Sequence, residues 1–235
     1  MTRLILTMLL LALPVVSFAV TLDATTNERK GNSGTTLTKS HTVTASGGNR
    51  AFYLLCAHRN LGYTMTATYA GAAMTEVRND AHGSNNQRSY IFRKTNPATG
   101  ANDWVMTQST AVAAVCHGVS VTDVDQTTPE TDSDGTCPAS GDPSVTLTTA
   151  TNELLLDVIG ISSLSSGTPG ANQTEIADIQ TLENTLTVAA SYQAGADGGV
   201  MSYGPPASTA SCYTAVSIKH SAFSTANFGP LGRRR

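Results

Sequence analysis

Lysine and arginine are missing from residues 95–218, a stretch that nevertheless carries 13 acidic residues. Charged side chains of either sign make up only 13% of the chain and aromatics 6%, with one tryptophan. A chain this poor in basic residues, with a formal net charge of -3, has no electrostatic footprint for nucleic acid. The Arg233-Arg234-Arg235 end is too short to supply one.

Catalytic signatures are equally scarce. There is no G-x-S-x-G elbow, and the nearest string, GISSLSSG (160–167), has the wrong spacing. His41, His58, His82, His117 and His220 are scattered without ligand spacing. No C-x-x-C pair occurs, which removes zinc ribbons and thioredoxin-like chemistry.

Long apolar runs are absent as well. The longest, Leu4 to Val16 in MTRLILTMLLLALPVVSFAV, has 13 residues, short of the ~20 that cross a bilayer. With Arg3 before it and Ser17-Phe18-Ala19 after it, residues 1–19 read as a secretory signal peptide. The mature chain is therefore expected to begin near Val20, to be secreted or displayed at the cell surface, and to hold no membrane span. In that oxidising compartment Cys56, Cys116, Cys137 and Cys212 are expected to form two disulfides. Four cysteines allow three connectivities, among which sequence alone does not choose; the expected one is Cys116 with Cys137, closing over an acidic loop, and Cys56 with Cys212, joining an early strand to the last.

What the chain does have is β-strand material. Apolar residues make up 40% and recur in short blocks near ten residues apart, separated by Gly, Asn, Pro and Ser. TLTKSHTVTAS (36–46) alternates, as a strand with one wet face does. ELLLDVIGIS (153–162) and AVAAVC (111–116) are apolar on both parities, as central strands covered on two sides are. QTEIADIQTLENTL (173–186) has a three-residue apolar spacing, but its Thr-rich surroundings favour strand. No repeat of fixed period emerges, which argues against a propeller or solenoid. The expectation is all-β: one two-sheet antiparallel sandwich of about ten strands over 35–220, an arm at 20–34 and a tail at 221–235. The arm, VTLDATTNERKGNSGTTLTKS at its widest, reads as a flexible segment able to add a strand to a neighbour's open edge.

The succession NRAFYLLCAHR, TYAGAAMTEV, SYIFRKTNPATG, AVAAVCHGVSVTDVDQTTP, SVTLTTATNELLLDVIGIS and AVSIKH, over residues 40–220, resembles a loose group of β-sandwich modules. That group belongs to secreted bacterial proteins and phage structural proteins. The resemblance implies a jelly-roll-like sandwich and a part in surface display or assembly, and it brings no active site with it.

Charge is polarised along the chain: residues 20–94 hold nine basic and four acidic residues. Six of the later acids crowd into DVDQTTPETDSDGTCPASGD (123–142). Glu130, Asp132, Asp134 and Gly135 match positions 1, 3, 5 and 6 of a helix-flanked calcium loop, but Gly141 stands where a bidentate Glu is needed. A freer Ca²⁺ site would draw on Asp123, Asp125, Asp132, Asp134 and Asp142, and a solvated turn-rich loop is the plainer alternative. Trp104 is the candidate for stacking on a sugar. Together these features point to a non-enzymatic structural or adhesive module that assembles with itself. A carbohydrate-binding module or carbohydrate-active enzyme with structural calcium, acting on a surface glycan, is one alternative. A virion or tail-appendage protein is the other.

Overall fold

The computed structural model describes residues 19–44, 48–59, 62–83, 87–164, 166–183, 186–204 and 209–221. Residues 1–18 of the expected signal peptide and nearly all of the expected tail lie outside them.

Nine strands come from the first half: β1 (Thr21–Lys30), β2 (Thr36–Val43), β3 (Ala51–Arg59), β4 (Met65–Tyr69), β5 (Ala72–Ala73), β6 (Thr75–His82), β7 (Gln87–Thr95), β8 (Gly100–Gln108) and β9 (Ala114–Thr122). Eight come from the second: β10 (Glu130–Thr136), β11 (Ser144–Thr146), β12 (Leu154–Ile161), β13 (Thr168–Pro169), β14 (Thr174–Gln180), β15 (Thr187–Ala194), β16 (Val200–Gly204) and β17 (Ser211–Ile218). The only helical element among the described residues is a single 3₁₀ turn, Gly195–Asp197. All pairings are antiparallel. The expected all-β sandwich is present, with 17 strands in four sheets in place of ten in two.

Each half is a two-sheet unit. The first consists of β1-β9-β3-β7-β6 and β2-β8-β4-β5, the second of β10-β17-β12-β15-β14 and β11-β16-β13. Strands one, nine, three and seven in one sheet, with two, eight and four in the other, are the order of a jelly roll. The two five-stranded sheets face each other, so four layers stack.

That stacking explains the strands that are apolar on both parities. On β3, Tyr53, Leu55 and Ala57 enter the central core, against Leu156, Val158 and Val188. Phe52, Leu54 and Cys56 point the other way, against Leu37, Met65, Trp104 and Met106. β12 behaves likewise, with Leu154, Leu156 and Val158 inward and Leu155, Ile159 and Ile161 against Val145, Met201 and Tyr203. Each fully buried Leu, Ile, Val, Phe or Met among them contributes about 1.5–3 kcal/mol of transfer free energy. The outer sheets have one wet face, and β2 accordingly buries Leu37, His41 and Val43 while exposing Thr36, Thr38, Ser40 and Thr42.

Three expectations are corrected. The 20–34 segment is not a free arm: residues 21–30 form β1, a full-length edge strand on β9 of the same chain. The disulfides are Cys56–Cys116 and Cys137–Cys212. Register decides this, because Cys56 lies directly opposite Cys116 on adjacent strands, while Cys137 follows Thr136, which lies opposite Tyr213. Finally, the acidic stretch is not all loop, since 130–136 is β10, an edge strand on β17. The ambiguous 173–186 segment does supply a strand, β14.

Candidate functional site

The five aspartates proposed for calcium are not gathered around one point. Asp123 ends β9 in a left-handed conformation (φ 63°), accepting a bond from Thr122 Oγ1. Asp125 caps the next turn, its Oδ1 accepting from the amides of Thr127 and Thr128 at 2.8 and 3.0 Å, with Lys219 3.6 Å from Oδ2. Those amide bonds, with help from Lys219, hold its carboxyl below the usual range. Asp132 accepts from Thr148 N and Ser133 N, and chiefly through Thr148 its carboxyl is also lowered. Asp134 faces Arg78 at 3.5 Å, and Asp142 lies apart in the β10–β11 connection. Among the described residues no group of three or more His, Cys, Asp and Glu is placed to hold a metal ion. Strand formation in β10 spreads Asp132 and Asp134 along an edge, where each has its own protein partner.

Asp134 finds its partner in the other half, where further bonds form a seam. Arg78 on β6 holds Asp80 with two nitrogens, at 2.8 and 3.0 Å, and donates to the carbonyl of Ser133 at 2.9 Å. Arg93 on β7 pairs with Glu130, which also accepts a 2.8 Å bond from the hydroxyl of buried Tyr53. A cleft of about 490 Å³ lies over this seam, lined by Glu76, Arg93, Glu130 and Asp132 among others. On the opposite flank a second cleft, about 470 Å³, separates β1 from β14, with Asn27, Glu28, Arg29 and Asp178 in its walls. Arg29 spans it to the carbonyl of Gln180 at 3.0 Å.

Two buried polar networks were not anticipated. Asp157 stands in the apolar run Leu154–Ile161 and is fully buried. It accepts bonds from Ser191 N (2.7 Å), Ser191 Oγ, Tyr213 Oη (2.6 Å) and Gln173 Nε2 (2.8 Å). Loss of solvation outweighs these donors and raises its pKa to about 7. The signal was available, since one acid inside LLLDVIGI must either be satisfied internally or serve chemistry. Here all four donors converge on it from within the second half, and the carboxyl is enclosed.

The other network joins Asp23, Ser120, His41, Thr26 and Trp104. Trp104 Nε1 donates to Thr26 Oγ1 at 3.2 Å, Thr26 lies 2.9 Å from His41 Nδ1, and His41 Nε2 lies 3.0 Å from Ser120 Oγ. Ser120 Oγ then donates to Asp23 Oδ2 at 2.8 Å. These residue types resemble a hydrolase triad, but the order differs. Ser120 gives its proton to the carboxylate, so the histidine is its donor and not its base. Burial lowers the His41 pKa to about 4, which keeps the ring neutral. Trp104 itself is fully buried between the first half's two sheets, so it packs the core and offers no face to a sugar.

No helix among the described residues is long and apolar enough to cross a membrane. Comparison with known proteins finds no matching family model, no matching curated protein and no matching solved structure.

Proposed function

We propose that this protein is a non-enzymatic extracytoplasmic structural module, displayed or assembled at a surface. The observation that carries the reading is the outer sheet of the first half. Its wet face presents Thr36, Thr38, Ser40, Thr42, Thr66 and Thr107, an array of hydroxyls that shares the face with Asp103 and Val105 and is backed by a filled core. Two disulfides, one per half, suit an oxidising compartment and stiffen the units behind that face. The polar groups that might have done chemistry are committed to internal bonds: Ser120 to Asp23, Asp157 to four donors, Glu130 to Arg93 and Tyr53. The resemblance to display and assembly modules points the same way.

Size-exclusion chromatography with negative-stain microscopy of the mature chain, together with binding to cells and a glycan array, tests the reading. Ordered assemblies or surface binding lost on replacing Thr38 and Thr107 with Lys support it. A strictly monomeric protein that binds no surface, glycan or cell, or one that turns over a polysaccharide, overturns it.

A further inference from the structure

The two halves share more than a strand order. Reading β1 with β10, β2 with β11, β3 with β12, β4 with β13, β6 with β14, β7 with β15, β8 with β16 and β9 with β17 reproduces both sheets of each half, and only the two-residue β5 lacks a counterpart. Register follows. Ala51 lies opposite Val121 on β9 and Thr95 on β7, and its counterpart Leu154 lies opposite Ile218 on β17 and Ala194 on β15.

The irregularities coincide too. β6 slips register between Glu76 and Arg78, opposite Phe92 and Ile91. β14 slips between Glu175 and Ala177, opposite Ser191 and Ala190, which are the same positions in the correspondence. The local sequences are Thr75-Glu76-Val77 and Thr174-Glu175-Ile176. β1 slips between Leu22 and Ala24, and β10 at its equivalent place, between Glu130 and Asp132. Bulges are specific devices that re-aim a strand, so two coinciding pairs are hard to reach independently. Val105-Met106-Thr107 also answers to Val200-Met201-Ser202, and Val119-Ser120-Val121 to Val216-Ser217-Ile218. The segments leading into β1 and β10 bond alike: Val20 N donates to Asn152 O ahead of β12, and Val124 N to Asn49 O ahead of β3. Each disulfide closes within its own half.

We propose that the chain is two equivalent jelly-roll units fused in tandem, that the central core is the interface of a symmetric dimer, and that the charged seam between β6–β7 and β10 restricts this interface to unlike halves. The seam is where the equivalence is broken. The first half contributes Arg78 and Arg93, the second Glu130 and Asp134. At the other flank the equivalent positions are Ala177 and Tyr192 in the second half and Leu22 and Thr26 in the first; Leu22 and Tyr192 pack on the central core, and Thr26 turns inward to His41 and Trp104. Two first halves packed together would put Arg93 against Leu22, the counterpart of Glu130, with no acid from β1 in reach. Two second halves would leave Glu130 and Asp134 against Ala177 and Tyr192. Either like pairing strands a partly buried charge without its partner, Arg93 in the first case and Glu130 in the second, while Arg78 keeps Asp80 of its own half, and this selects against like pairs. The excess of basic residues early in the chain and of acids late is the sequence trace of that choice.

The test uses the whole folded chain with a specific protease site placed in the 123–129 connection. After nicking, the halves are held only by the interface, and light scattering after size exclusion at falling concentration reads their association. The nicked protein should remain one complex of unlike halves. Glu130→Arg should weaken association about tenfold or more, and adding Arg93→Glu should restore it to within a few-fold. Glu130→Leu with Asp134→Thr, which copies the first half's residues, should let second halves pair with each other. Unchanged association in Glu130→Arg, or no rescue by Arg93→Glu, overturns the role of the seam. A circular permutant that joins Ser221 to Val20 by a short glycine linker and opens the 125–128 turn checks the tandem equivalence separately. It should regain both disulfides and the parent's near-UV circular dichroism, and a permutant that does not fold overturns the fusion.

Discussion

Acid should unfold this protein through its buried histidines. His41, His58 and His117 are at most 1% exposed, and burial lowers each pKa from 6.5 to about 4. In the unfolded chain they bind protons near pH 6.5, so the stability they confer is complete above that value and lost as pH falls toward 4. One proton of difference is worth about 1.4 kcal/mol per pH unit, so three rings remove at most about 4 kcal/mol per unit between pH 6 and 4.5. Asp157 works in the opposite sense. Its folded pKa, about 7, is raised, so it favours the fold below the unfolded value near 4 and loses that contribution as pH rises toward 7. It offsets about 1.4 kcal/mol per unit, and Glu175 and Asp178, also raised by burial, act in the same direction. The net expectation is a loss of about 2 kcal/mol per pH unit on acidification. Urea unfolding at pH 7, 6, 5 and 4.5 measures it. His117→Gln should reduce the slope, and Asp157→Asn should steepen it. Stability that is flat or rises between pH 6 and 4.5, or an Asp157→Asn slope shallower than the parent's, would refute the assignment.

Three further outcomes follow from the packing. Non-reducing peptide mapping should recover Cys56 with Cys116 and Cys137 with Cys212, and replacing either pair by alanine should cost about 4 kcal/mol in denaturant titration, given loops of 60 and 75 residues. Trp104→Ala should lose about 3–5 kcal/mol as a core truncation, while any glycan or surface binding by the protein that still folds stays unchanged. Gly199→Ala should be among the most damaging single substitutions, because a Cβ there meets the carbonyl of Leu147, a backbone group that cannot turn aside, and a thermal melt will show it.

Much of the architecture could be read along the chain because strand formation obeys a local rule. The alternation in residues 36–43 announced one wet face, and the double-parity runs around Val115 and Leu156 announced strands covered on both sides. The candidate site was less legible. Asp132 and Asp134 look like ligands when read as a loop, and become ion-pair and turn partners once β10 is seen to lie beside β6. Trp104 looks like a binding platform only until β8, on which it sits, is packed over the five-stranded sheet of the first half.

By itself the amino-acid order determined the class, the strand blocks and the uneven distribution of charge, since all three depend on residue type and near-neighbour period. Tertiary structure alone decided which cysteines meet, that the 20–34 segment is spent on the chain's own β9, and that seventeen strands form two matched units. Those outcomes depend on register and on which faces are brought together. A few shared residues spread over about a hundred positions are too sparse to reveal the match until hydrogen-bonded ladders align them.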